Sequence, residues 1–154
     1  MSKRIVLKSV IAVVMVGFVL SFSSCKKEEK LIVGKWKYEK IEIKELACTD
    51  PETEMMMRLG FQFGASMVAE ELGLGTIEFT KDGKAVSKNG TANYKVNGDK
   101  LTISDPENMP SGTIYLSFPK KKTMCWDMDM VELGEFDAED GVTKFVLRIT
   151  FAKQ

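Results

Sequence analysis

Along most of the chain, apolar and polar residues alternate in short runs broken by turn chemistry, which is the period of antiparallel β-strands. Lys81-Asp82-Gly83-Lys84 separates "TIEF" from "AVS", Asn89-Gly90 separates that from "TANYKV", and Asn97-Gly98-Asp99 leads into "KLTIS". Asp-Gly and Asn-Gly tolerate the positive φ that tight hairpin turns require. Further on, "GTIYLSF" and "TMCWDMDMV" flank Pro119-Lys120-Lys121-Lys122, and the chain ends on "VTKFVLRITFA" with Phe145, Leu147, Ile149 and Phe151 on one face. With "LIVGKWKYEKIEI" near the front, eight strands follow one another in nearly unbroken hairpin order. The expected fold is all-β with a helical insert, an eight-stranded antiparallel up-and-down barrel whose closure leaves no exposed edge.

The insert lies between strands one and two, where "DPETEMMMRLGFQFGASMVAEEL" (Asp50 to Leu72) changes to a helical period. Asp50 is placed to cap it, Pro51 suits the first helical position, and Glu52 and Glu54 complement the positive end of the helix dipole. Met55, Leu59, Phe63 and Met67 recur every fourth residue as an apolar stripe, expected to pack on the barrel or plug it. Gly60 and Gly64 weaken the middle, so one helix or two shorter ones joined there both fit.

Strand seven sets Met124, Trp126, Met128 and Met130 against Thr123, Cys125, Asp127 and Asp129. The charged set belongs in water, so the Met and Trp set faces the interior. Methionine is unbranched and fits an irregular guest as readily as an ordinary core. The candidate ligand residues are therefore Met124, Trp126 and Met128 from the strand with Met55, Leu59, Phe63 and Met67 from the helix, enclosing an acyl chain or similar apolar molecule. The other reading makes the same residues core, because eight-stranded barrels are often just wide enough to be packed solid.

Ahead of the barrel stands a positive start (Lys3, Arg4, Lys8), the apolar run Val10 to Leu20, and the small residues Ser21, Ser23 and Ser24. Eleven apolar residues cover roughly 16 Å as a helix, against a bilayer core of about 30 Å, so residues 1–24 read as a secretory signal. Small residues before Cys25 and charge straight after it resemble the lipobox of bacterial lipoproteins, with Phe22 where that family usually has Leu. The resemblance implies a diacylglycerol on Cys25 and anchoring to a membrane. Lys26-Lys27-Glu28-Glu29 is similar to the export signal of Bacteroidota surface lipoproteins, and equally suits a solvated tether over 25–30. No Asp follows Cys25, which in enterobacteria would mark inner-membrane retention. The resemblance thus implies the outer membrane, at its periplasmic face or at the cell surface.

Without the signal, 22 basic residues lose Lys3, Arg4 and Lys8 and stand at 19 against 22 acidic ones, a net charge of about −3 with no nucleic-acid footprint. Residues 31–154 suffice for one domain. Cys48 and Cys125 lie in a part of the chain destined for a compartment that permits disulfides; a bridge between them is possible, and their separation decides it. Histidine is absent, which removes the commonest general base, the familiar zinc motifs and the Ser-His triads. The late acidic run from Asp127 to Asp140 matches no calcium loop, and no two of its carboxylates are singled out for one cleft. No cofactor, metal site or catalysis is expected.

Gly34-Lys35-Trp36 in the first strand looks like the Gly-x-Trp of lipocalins, and "KDGK" followed by "YKVNGDKLTIS" is similar to lipocalin-like lipoproteins of Bacteroidota. The resemblance covers roughly Leu31 to Gln154 and implies a calycin-type barrel that binds small apolar ligands. It also implies an arginine stacked on the Gly-x-Trp tryptophan, for which Arg148 is the candidate, although its place in the alternation points it outward. Two functions follow: a module that binds a small apolar ligand, or a structural or interaction module, such as an inhibitor or accessory subunit of a surface complex, with a side-chain-filled barrel.

Overall fold

The computed structural model describes residues 27–104, 113–136 and 138–154; the signal 1–24 and Cys25 lie outside the described residues. Alternation and turn chemistry build what the pattern predicts. Strands β1 (Gly34–Cys48), β2 (Thr76–Phe79), β3 (Lys84–Ser87), β4 (Gly90–Asn97), β5 (Lys100–Ser104), β6 (Ile114–Lys120), β7 (Thr123–Asp129) and β8 (Val142–Lys153) pair in sequence order, and β8 returns to β1 to close the barrel. Each neighbouring pair is antiparallel. The turn glycines Gly83 and Gly98 take φ of +78° and +64°, as the hairpins require.

β1 is the long wall. Its first four residues pair with β2, while Trp36 to Cys48 pair with β8 through three register shifts. The first two shifts each add a residue to β1 and bend it, and the third adds one to β8. Buried side chains therefore recur at Trp36, Ile41 and Leu46, which a strict two-residue alternation would not give. On β8, Phe145, Leu147, Ile149 and Phe151 all face the core as expected. Trp126 and Phe151 lie with ring centroids 4.6 Å apart, and Phe79 meets Tyr94 at 4.9 Å, so aromatic contacts fill the middle of the barrel.

Residues 27–32 form a short helix, α1, which takes in residues 27–30 of the tether expected over 25–30. Ile32 is fully buried at its end, and its carbonyl accepts a hydrogen bond of 2.6 Å from Trp36 Nε1. Lys153 Nζ donates to the Val33 carbonyl at 3.0 Å and lies 5.1 Å from the centre of the Trp36 ring. Up-and-down topology gathers the β2–β3, β4–β5 and β6–β7 turns and the C terminus at this same α1 end. The far end carries the exit from β1 and the β7–β8 connection, tied together by Thr49 N–H donating to the Gly141 carbonyl at 2.8 Å.

The insert is one uninterrupted helix, α2 (Pro51–Glu71), so Gly60 and Gly64 do not divide it. Asp50 caps it, its side chain accepting from Thr53 N–H at 2.8 Å, with Pro51 at the first turn. No helix among the described residues is long and apolar enough to cross a membrane.

Candidate functional site

The barrel interior holds the strand half of the expected ligand residues. Met124, Trp126 and Met128 are all buried in the core among Phe79, Leu101, Ile149 and Phe151. Beside them lies a cavity of about 20 Å³, lined by Leu72, Leu74, Ile77, Ile114, Trp126, Met128 and Ile149 together with Gly73 and Ser87. That is room for about one water, whereas a small-molecule site takes roughly 300 Å³ or more. Trp126 Nε1 is buried and without a hydrogen-bond partner among the described residues.

The helix half is not there. Met55, Leu59, Phe63 and Met67 are 57%, 45%, 83% and 71% exposed, and Met56 between them is 63% exposed. The face of α2 on the core is instead Met57, Phe61, Ala65, Val68, Ala69 and Leu72, with Phe61 edge-on to Phe145 at 6.4 Å. The segment has two apolar stripes, and periodicity singles out the larger one. Packing selected the stripe that contains Ala65 and Ala69, whose small side chains let the helix approach the barrel closely. The outward stripe is bounded at its two ends by the exposed Glu52 and Glu70.

Both cysteines are free thiols. Cys48 sits opposite Val142 and Cys125 opposite Thr150. Those partner positions are eight residues apart along β8, about 26 Å at 3.3 Å per residue, far beyond the roughly 7 Å that a disulfide spans. The loop between the two cysteines joins opposite ends of the barrel, which sequence spacing does not reveal. Cys48 Sγ rests 3.8 Å from Met57 Sδ, and burial, with the Glu54 and Asp50 carboxylates nearby, pushes its thiol up from the ordinary range.

On the outer face of β7 and β8 the alternation sends Asp127 and Asp129 outward as expected, yet both are buried. Arg148 lies opposite Asp127 in the strand register and binds it through two nitrogens, at 2.7 and 2.8 Å, while Lys44 from β1 binds the same carboxylate at 2.8 Å. Burial alone would raise the Asp127 carboxyl; the bonds from Arg148 and Lys44 overcome it and hold the group below the usual carboxylate range. Lys144 pairs with Asp129, a bond that raises the Lys144 ammonium. Arg148 is thus committed outside the barrel, and Lys153 occupies the position over Trp36 that the lipocalin resemblance assigns to an arginine. This network borders an outer cleft of about 500 Å³ reaching Asp99 and Tyr115. Sequence reading missed it because it needs the register of three strands, although Asp127 and Arg148 on neighbouring strands were a usable signal.

Among the described residues no three His, Cys, Asp or Glu side chains are placed to hold a metal ion. No protein-family profile, curated protein or solved structure matches the chain.

Proposed function

We propose that this chain is a lipid-anchored outer-membrane protein, held through Cys25, whose barrel is a packed scaffold and whose α2 presents the surface that docks a protein partner. One observation carries the reading: Met124, Trp126 and Met128 are buried in the core beside a cavity of only about 20 Å³, while Met56, Phe63 and Met67 stand in solvent at 63%, 83% and 71% exposure. A row of large apolar side chains on an outer helix is a recognition feature when the protein's own core has no need of it. The acidic residues at both ends define the partner. A second copy of the chain would set Glu52 against Glu70, whereas a groove with an apolar floor and basic ends complements both. An inhibitor or accessory subunit of an envelope complex has this form.

The test is site-specific photocrosslinking in the native host, with p-benzoylphenylalanine at Phe63 and, as control, at the exposed Thr102 of β5. A discrete protein adduct from position 63 alone supports the reading; identical patterns from the two positions reject it. For the anchor, Cys25→Ser is expected to abolish acyl labelling and release the protein from the membrane fraction. A variant that stays membrane-bound with residues 1–24 retained removes the lipoprotein reading.

A second reading, a lipocalin-like carrier of a small apolar molecule, draws on the unpartnered Trp126 Nε1 beside the cavity. In Trp36→Phe, Trp126 is the sole tryptophan reporter. A saturable change in its emission on titration with fatty acids supports the carrier, and a flat response across acyl lengths leaves the barrel a filled scaffold.

A further inference from the structure

The α1 end of the barrel differs from the rest of the molecule in charge. Lys30, Lys81 and Lys95, with Glu29 among them, line a single open cleft of about 790 Å³ between α1 and the β2–β3 turn, over Val33, Gly83, Tyr94 and Val96. Beside it the β6–β7 turn exposes Lys120, Lys121 and Lys122. The Lys153 backbone N–H donates to the Lys122 carbonyl at 2.9 Å while its side chain donates to the Val33 carbonyl at 3.0 Å, so this turn and the end of α1 are bound to one residue. Glu28, Glu29, Asp82 and Asp99 offset only part of that charge. The opposite end carries Asp50, Glu52, Glu132, Glu135 and Glu139. Residues 25–154 have a net charge of about −3, so the basic end reflects a separation of charge along the barrel axis that the closed topology creates.

We infer that the α1 end is a membrane-facing surface that takes the phosphate groups of anionic lipids. Charge complementarity selects the occupant, because a negatively charged lipid surface attracts clustered lysines and repels the acidic far end. Chain geometry agrees: the described chain begins at residue 27 on this end, two residues from Cys25. In this orientation, which rests on the anchor proposed above, the lipid at Cys25 and the lysines engage the same bilayer, each strengthening the other as tethered contacts do. The acidic end then points away from the bilayer.

The experiment uses residues 27–154, which contain every pairing of the closed barrel and its whole described core. Since they lack Cys25, the result is independent of whether the anchor reading holds. Co-sedimentation with vesicles of phosphatidylcholine containing phosphatidylglycerol is expected to exceed that with pure phosphatidylcholine by at least tenfold at low ionic strength, and to be lost at about 0.5 M salt. Reversing Lys120, Lys121 and Lys122 to Glu is expected to weaken binding by about tenfold or more, whereas Glu132→Lys with Glu135→Lys leaves the difference between the vesicles in place. Equal binding of the unmodified polypeptide to the two vesicles overturns the inference, a comparison that needs no variant to fold. So does full displacement by millimolar inorganic phosphate, which would identify a site for the free anion.

Discussion

Asp127 ties the stability of the fold to pH at the acid end. Its carboxyl sits lower in the folded chain than the roughly 3.9 of an unfolded aspartate, so its bonds to Arg148 and Lys44 contribute stability that is fully present above about pH 4. That contribution is lost as pH falls through the lower folded value, when the carboxylate protonates and Arg148 and Lys44 lose their partner. Asp127→Asn is therefore expected to lower the urea midpoint at pH 7, with the gap from wild type narrowing as pH falls below about 4. Parallel curves for the two proteins across the acid range would show that the network contributes no pH dependence.

Within α2, two neighbouring phenylalanines have opposite roles. Phe61 packs edge-on against Phe145, so Phe61→Ala should destabilise by about 1–3 kcal/mol, less than the roughly 3–5 kcal/mol for truncating a fully buried phenylalanine because the side chain is only half-buried. Phe63 touches solvent, and Phe63→Ser should leave stability within about 0.5 kcal/mol while removing the docking contact. The helix also holds a stabilising opportunity. A methyl group added at Gly60 or Gly64 meets nothing within 4 Å, and neither residue has a positive φ. Gly60→Ala and Gly64→Ala are each expected to stabilise by about 0.5–1 kcal/mol, read from thermal unfolding. If either lowers the melting temperature instead, α2 is not the continuous helix described.

At the level of the whole molecule, closure depends on β1 and on the plug that precedes it. Ile32 is fully buried and its carbonyl holds the Trp36 indole, so α1 is joined to the barrel through its last residue. Ile32→Ala is expected to cost about 2–4 kcal/mol in urea unfolding monitored by tryptophan emission. A loss below about 0.5 kcal/mol would return α1 to the role of a dispensable spacer.

Alternation and turn chemistry determined the eight strands, their order and the capped helix after β1, because a two-residue period, an Asp-Gly turn and an Asp cap each act within a few residues of the chain. The inward placement of Met124, Trp126 and Met128 was legible for the same reason, since the charged residues between them leave only one face for the core. Tertiary structure decided the rest. Which stripe of α2 meets the barrel depended on the small residues Ala65 and Ala69, which periodicity passes over in favour of the stripe with larger side chains. The separation of Cys48 from Cys125 and the burial of Asp127 beneath Arg148 and Lys44 follow from register between strands far apart in sequence. The gathering of Lys30, Lys81, Lys95 and Lys120 to Lys122 at one end follows from the antiparallel order, which puts alternate turns on one edge, and from closure, which curls that edge into a ring.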